Sequence, residues 1–479
     1  MNNNISERLA ALGITVPELL LPRQGIDLTK WAVIACDQHT QDHSYWEQAS
    51  AIAEGSPSAL NLIFPEIFLE KPVYSAGRTN AGEDSPLDKE ERITAIHRSM
   101  KKYLETEVFA PPQKTLVYIE RDTPINQLRR GLLVALDLEA YNWETKSNPG
   151  LIRPTEGTVA KRLPSRMDIR RGAPLETPHI LVLIDDEENI LLPSLGERAK
   201  PKTENNIDAQ ANALYDTELM LGSGRVCGWK LDTEDDWEFL AGGLEKLAKN
   251  AMEKYGAPFL YAVGDGNHSL AAAKGIWEEY KAVNQDDSDI MNHSARCAHP
   301  TRWALVELVN LYDPALSFEP IHRLLFGTDI TPVQQALATL PGYRCRKLND
   351  VAELTALVQD VQCSLLRMGL VSREDFFLIE ADHVPIAIDT LQPLLDKMIE
   401  EQKGRISMDY IHGSEELLRL AAKENSGEPK NNAVGILLPP FRKQGLFETI
   451  AKHGPLPRKS FSMGDACEKR FYLECRRLS

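Results

Sequence analysis

Apolar residues in this chain gather in short, nearly continuous runs rich in Val, Ile and Leu, set between polar turns. Runs of that kind mark strands covered on both faces rather than on one. Residues 31–36, 114–120, 129–137, 178–186, 259–263 and 301–310 predict such strands. Segments 91–105 and 233–255 instead repeat apolar residues at helical spacing, and the alanine-rich stretch after Gly266 continues as a helix through Trp277 and Tyr280. A charged stretch from Arg78 to Lys89 predicts a surface loop. Beyond Ile330 the texture becomes helix, strand, helix, with polar links near 326–332 and 424–431. There, 376–381 and 384–388 predict paired strands, 391–402 a helix, and 407–413 and 433–439 further strands. The alternation specifies an α/β class with mixed (α+β) sheets, in an α/β core over 1–328 and a C-terminal α/β segment over 329–479.

The stretch of greatest chemical interest is Phe259-Leu-Tyr-Ala-Val-Gly-Asp-Gly-Asn-His-Ser-Leu-Ala. It predicts a strand, a turn with Gly264 and Gly266 bracketing Asp265, and a helix opening on Asn267, His268 and Ser269. Glycine lets a ligand approach the backbone, and the first helical turn offers N–H groups to an anion. Asp265 and His268 add a carboxylate and an imidazole within one turn of that cradle. A plain strand–turn–helix corner uses the same residue types for conformational reasons alone.

Other segments add candidates. Asp37 and Gln38 follow the first strand directly, and His39, Asp42 and His43 come next. Their spacing matches no recognised metal pattern, and Asp42 or Ser44 also suits a helix cap. Residues 151–171 hold six Lys or Arg against two acids. That local excess suits an anionic substrate, with Arg153, Glu156 and Thr158 as candidates, or a solvated basic face. His97 lies within a helix and reads as a surface or capping residue. Gly-Ser-Gly at 222–224, followed by Arg225, fits a hairpin turn as well as a ligand loop. His322-Arg323, and the basic stretch 456–472 with Arg458, Lys459, Ser460 and Ser462, offer further anion contacts.

Composition narrows the class. A net charge of −16 argues against a general nucleic-acid or membrane-surface binder and leaves room for a local basic pocket. No apolar run reaches a membrane span, and the start lacks an apolar leader core. Seven scattered cysteines without a Cys-x-x-Cys pair are those of a reduced, cytoplasmic protein.

Trp31-Ala-Val-Ile-Ala-Cys-Asp-Gln, Gly264-Asp-Gly-Asn-His-Ser-Leu-Ala, Phe318-Glu-Pro-Ile-His-Arg and Pro457-Arg-Lys-Ser-Phe-Ser-Met-Gly occur in that order. Together they resemble the domain of unknown function 1015 family over nearly the whole chain. More distantly, Asp265-Gly-Asn-His-Ser is similar to the Asp-Gly-His-His-Arg signature of free serine kinases and to the phosphate turn of the ParB/sulfiredoxin superfamily. That resemblance implies a ParB/sulfiredoxin-like core with large N- and C-terminal elaborations, and phosphoryl or nucleotide handling. It places Asp265 and His268 on the polar positions of the signature and Glu156 near a catalytic glutamate. Ser269 stands where the signature has arginine, so Arg153, Arg323 or Lys459 would have to supply that charge.

The expectation is a cytoplasmic kinase, phosphotransferase or phosphatase acting on a small phosphorylated or hydroxylated metabolite, with serine or phosphoserine first. Glu156, Asp265 and His268 would be catalytic. Gly264, Gly266, Asn267, Ser269, Arg153, Thr158, His322, Arg323, Lys459 and Ser460 would hold substrate or phosphate, with Asp37 and Gln38 nearby. The expected cofactors are ADP or ATP and Mg²⁺, the ion at Asp37 or Asp265, with no nucleic-acid or membrane partner. The alternatives are a nucleotide-binding regulatory module without turnover, and a metal-dependent hydrolase using Asp37, His39 and His43.

Overall fold

A computed structural model describes residues 3–69, 89–126, 128–143, 150–200, 213–285, 298–373, 375–402, 404–423 and 432–478. The expected loop 78–89, apart from Lys89, and the link 424–431 lie outside the described residues. The chain forms two compact units. The first comprises Met1–Pro154, Thr158–Leu316 and Asp465–Ser479, and the second Thr155–Gly157 and Ser317–Gly464. A boundary at 328 was expected. The strand Glu319–Phe326 instead belongs to the second unit's sheet, and Asp465–Ser479 belongs to the first unit.

Among the described residues the first unit holds a nine-stranded sheet. Its order is Tyr215–Glu218, Arg225–Leu231, Leu116–Asp122, Arg129–Asp137, Trp303–Asn310, Leu181–Ile184, Tyr261–Asp265 and Ile152–Pro154, with Ile14–Thr15 also paired to Arg129–Asp137. Two pairings are parallel, Trp303–Asn310 with Leu181–Ile184 and Tyr261–Asp265 with Ile152–Pro154; the others are antiparallel. Alternation along each strand divides the core between the faces. Leu116, Tyr118, Leu132, Val134, Ala304 and Val306 enter one apolar cluster, while Val117, Ile119, Leu133 and Leu305 enter another. Both faces are therefore covered, which explains the continuous apolar runs.

The long helix Glu234–Tyr255 covers one face through Trp237, Leu240 and Leu244. Thr233 and Asp236 close a capping box at its start, and Gly256 ends it in the left-handed conformation. The expected strand at 31–36 is reduced to Val33–Ile34, because Leu28–Trp31 closes a helical turn capped by Asp27. The short strand pairs with Phe471–Tyr472.

Residues 465–478 fasten the first unit through buried charge. The Arg470 guanidinium pairs with Glu307, meets Glu474 at 2.5 Å and donates to the Pro178 carbonyl at 3.0 Å. Arg129 approaches Glu307 at 3.6 Å and donates to the Glu468 carbonyl at 2.6 Å. Arg476 donates to Glu176 at 2.7 Å. Arg129, Glu307, Arg470, Glu474 and Arg476 are all buried. Room for Glu307 comes from Gly131, where an added Cβ would meet its Oε1 at 2.3 Å.

The second unit holds a seven-stranded sheet among the described residues, antiparallel throughout. Its order is Arg344–Leu348, Asp375–Ala381, Leu366–Ser372, Ala433–Leu437, Glu319–Phe326 and Ser407–His412, with Phe461–Ser462 on the first residues of Glu319–Phe326. Residues 384–386 form no strand; they lead into the helix Ala387–Glu401, and Asp375–Ala381 pairs with Leu366–Ser372 instead. Pro385 lacks the N–H that a ladder requires. No helix among the described residues is long and apolar enough to cross a membrane.

Removing one member of a buried ion network strands the charges that remain. Glu307→Ala is expected to cost about 3–5 kcal/mol in chemical denaturation. Arg419→Ala, which breaks an exposed pair with Glu416, is expected to cost less than about 1 kcal/mol.

Candidate functional site

The expected residues fall into two groups, one in each unit. In the first unit, the strand Tyr261–Asp265 runs into the helix Asn267–Val283 through Gly266. Gly266 has φ of +79°, and an added Cβ would meet Ile180 Cγ1 at 2.9 Å, so only glycine makes this turn without strain. The register against Leu181–Ile184 shifts between Val263 and Asp265, a bulge at Gly264 that re-aims the carboxylate after it. Asp265 Oδ1 accepts from the Gly266 N–H at 3.0 Å, and Oδ2 meets the Lys469 ammonium at 3.1 Å. Lys469 is buried and was not singled out in the sequence; its one visible sign is its place in the basic stretch 456–472.

His268 Nε2 accepts from the Val159 N–H at 3.2 Å, so the ring's proton sits on Nδ1 when it is neutral. Ser269 Oγ lies 2.9 Å from His179 Nε2, and His179 Nδ1 lies 3.0 Å from the Tyr472 hydroxyl. Neither His179 nor Tyr472 stood out in the sequence, since one precedes an apolar strand and the other ends a basic run. Arg153 pairs in register with Ala262, and its guanidinium lies 4.6 Å over the Phe259 ring. Thr158 is partly buried beside the Tyr141 hydroxyl.

Asp37 accepts from its neighbour Gln38 at 3.0 Å. Asp42 caps the helix His43–Ala53 through the Tyr45 N–H, and His39 stacks on Tyr45 with ring centroids 3.7 Å apart. His97 bonds the Ile169 carbonyl at 3.0 Å. Gly-Ser-Gly turns the hairpin between Tyr215–Glu218 and Arg225–Leu231, where Arg225 pairs with Asp216. Among the described residues no group of three or more His, Cys, Asp or Glu side chains is placed to hold a metal ion. Asp265 does not fit a divalent cation either, because both its oxygens are already engaged, one by an ammonium.

In the second unit the carboxylate of Glu156 is gripped by main-chain N–H groups. Lys459 donates to Oε2 at 3.0 Å, Ser460 to Oε1 at 2.9 Å and Phe461 to Oε1 at 3.5 Å. Lys459 has φ of +58°, uncommon outside glycine, in the turn that aims successive N–H groups at one anion. Lys459 and Ser460, expected to contact phosphate, use their backbone here for another purpose. Their backbone holds Glu156, and Ser460 Oγ donates to the Pro457 carbonyl at 2.5 Å. Burial raises the Glu156 pKa above the usual carboxyl range, opposed by those N–H groups.

Arg323 is fully buried and donates to Gln392 Oε1 at 2.9 Å and to the Ile321 carbonyl at 2.5 Å, with Tyr410 beneath it at 4.6 Å. Its Nη2 finds no acceptor among the described residues. Burial lowers its pKa to about 10, against the opposing influence of Tyr410, Glu156 and Asp396. His322 is also buried, and its Nδ1 accepts from the Leu438 N–H at 3.1 Å. Burial lowers its pKa to about 4, helped by Arg323 and His412.

A family model described as "Protein of unknown function (DUF1015)" matches residues 20–398. The chain belongs to the DUF1015 family. The match ends before Lys459 and Ser460, so the N–H groups that hold Glu156 come from outside it. No curated protein matches this DUF1015 chain. Solved structures similar to it include a conserved hypothetical protein from Pyrococcus furiosus, 11% identical with a TM-score of 0.33, over 71% of this chain and 95% of that one. Free serine kinase in complex with AMP is 12% identical with a TM-score of 0.34, over 72% of this chain and 92% of that one. SbnI with C-terminal truncation from Staphylococcus aureus is 9% identical with a TM-score of 0.30, over 71% and 82%. These are distant likenesses of fold.

Acid tests the buried imidazole. Between an unfolded pKa of about 6.5 and the folded value of about 4, the unfolded chain takes up a proton that folded His322 does not. Stability of the second unit therefore falls as pH drops through that window. His322→Asn, which keeps an acceptor for Leu438, should reduce the loss between pH 7 and pH 4.5 by up to about 3 kcal/mol in urea titrations. Glu156, whose carboxyl pKa is raised, works in the opposite direction and is common to both proteins.

Proposed function

We propose that this DUF1015 chain is an enzyme of phosphoryl chemistry on a small hydroxylated or phosphorylated metabolite, built on a ParB/sulfiredoxin-like core. Serine or phosphoserine is the first substrate to test, with ADP or ATP as the partner nucleotide. The observation that carries this reading is Glu156, a carboxyl with a raised pKa fixed by backbone N–H groups, under the electrostatic influence of the buried Arg323. Phosphoryl transfer asks a protein mainly for positioning, positive charge and one proton-exchanging group. A carboxyl with a raised pKa exchanges protons nearer neutrality than an ordinary one. Arg323 supplies a fixed positive charge where low dielectric strengthens it.

In this reading Glu156 takes the proton of the attacking hydroxyl or water. The first unit has an anion cradle of its own, in which the turn Gly264–Gly266, the helix start at Asn267 and His268, and Lys469 receive phosphate oxygens. Lys469 then supplies the charge that Ser269 does not. A bound nucleotide supplies or accepts the phosphoryl group. Mg²⁺ has no fitted donor set at Asp265, and no role is assigned to it there.

A phosphorus NMR time course tests the reading, with O-phosphoserine in one sample and serine with ADP or ATP in another, each with Mg²⁺. The native protein should give a new phosphate or phosphoserine resonance. Glu156→Gln should slow it by about 10²–10⁴-fold while nucleotide affinity is kept, and Asp265→Ala should weaken nucleotide or phosphate binding in a protein that remains folded by circular dichroism. Unchanged spectra from the native protein would remove serine as substrate. Nucleotide binding without turnover would make the chain a regulatory module.

A further inference from the structure

The first unit contains a cavity of about 130 Å³ whose lining joins an apolar wall to a chain of hydrogen-bonding groups. Leu62, Phe64, Met100, Leu175 and Ala272 contribute apolar surface. Ser269, His179 and Tyr472 contribute the polar edge, with Glu66 and Arg166 paired beside them. The polar groups are ordered. Ser269 Oγ lies 2.9 Å from His179 Nε2, His179 Nδ1 lies 3.0 Å from the Tyr472 hydroxyl, and that hydroxyl accepts from the Cys36 N–H at 3.1 Å.

A hydroxyl bonded to an imidazole whose far nitrogen is held by a third group is the arrangement by which proteins activate serine. Ser269 also lies in the first turn of the helix Asn267–Val283, where the dipole favours negative charge developing on its oxygen. The Glu66 carboxyl, paired with Arg166, stands within electrostatic reach of His179. Ser269 and His179 are both partly exposed, so neither is sealed from a reactant. Purely structural hydrogen bonding would explain the distances but not a void bounded by these two side chains.

We propose that Ser269 is a nucleophile and His179 its general base, and that the cavity receives the apolar part of a small carboxylic ester. This goes beyond the phosphoryl reading and requires no nucleotide. Ser269 Oγ passes its proton to His179 Nε2 and bonds to the ester carbonyl carbon. The bond from that carbon to the leaving oxygen breaks, and the leaving group takes the proton from Nε2 and departs as an alcohol. Water then gives a proton to Nε2 and attacks the acyl carbon; the Ser269 oxygen leaves, regains the proton, and the carboxylic acid is released. Tyr472 orients the imidazole and is a positioning residue.

The test uses the full chain with two probes, an alkyl fluorophosphonate and p-nitrophenyl butyrate. With the fluorophosphonate, Ser269 Oγ bonds to phosphorus as fluoride leaves. Intact-mass measurement should show one adduct per chain, and peptide mapping should place it on Ser269. Ser269→Ala, which removes only the hydroxyl oxygen, should abolish the adduct and the release of p-nitrophenol. His179→Asn should slow labelling by about 100-fold or more in a protein that circular dichroism shows to be folded. If the His179 variant does not fold, Ser269→Ala decides alone. The proposal is overturned if the native protein forms no adduct while a serine hydrolase in the same tube does. It is equally overturned if the adduct maps elsewhere, or if folded His179→Asn labels at the native rate.

Discussion

The first unit depends on one buried guanidinium. Arg470 pairs with Glu307, a carboxylate on a central strand, and with Glu474 four residues further along its own segment. A carboxylate at Glu307 would be intolerable in a covered sheet face without a cation, and strand alternation places no basic residue opposite it: its register partners are Leu133 and Leu181. Arg129 of the neighbouring strand approaches to 3.6 Å, and the closer cation comes from residues that follow the whole second unit in sequence. Those residues also bring Phe471–Tyr472 to Val33–Ile34, Lys469 to Asp265 and Tyr472 to His179. The ion network and both groups of reactive side chains in this unit are thus set by the same short segment.

The second unit uses the backbone as a counter-ion. Glu156 is held by N–H groups, with no salt bridge among the described residues, and Lys459 adopts a left-handed conformation in the turn that presents them. Partial positive charges of this kind position a carboxylate while neutralising it less than a bound ammonium would. Burial keeps the carboxyl pKa raised, against those N–H groups and the Lys459 charge, which both lower it. Arg323 acts differently, as a fixed charge held by Gln392 and a carbonyl oxygen.

The central strands and main helices were legible because burial on both faces writes an unbroken apolar run, as in Arg129–Asp137, and because apolar residues at helical spacing mark Glu234–Tyr255. The glycine turn was legible too, since Gly266 answers a local steric demand. Local pattern failed where partners are remote. Nothing near Lys469 says that it will meet Asp265, and nothing near His179 points to Ser269, 90 residues on. Residues 384–386 misled because apolar Val384 and Ile386 flank Pro385, which closes off the ladder that the apolar pattern invites. Lys459 and Ser460 drew attention for their side chains, while the structure uses their N–H groups, which every non-proline residue carries and no residue type can signal.

The place of Asp465–Ser479 in the sequence also bears on how the protein is made. A ribosome delivers Ser317–Gly464, with every strand of the second unit's sheet, before it delivers Arg470. While that segment is being synthesised, Glu307 has already emerged without the guanidinium that it meets in the finished fold. Until Arg470 follows, Arg129, 3.6 Å away in the finished fold, is the cation available to Glu307, and the first unit's ion network stays incomplete while the inserted unit is translated. Vectorial synthesis thus leaves the earlier-encoded unit to be completed by the last residues that join it.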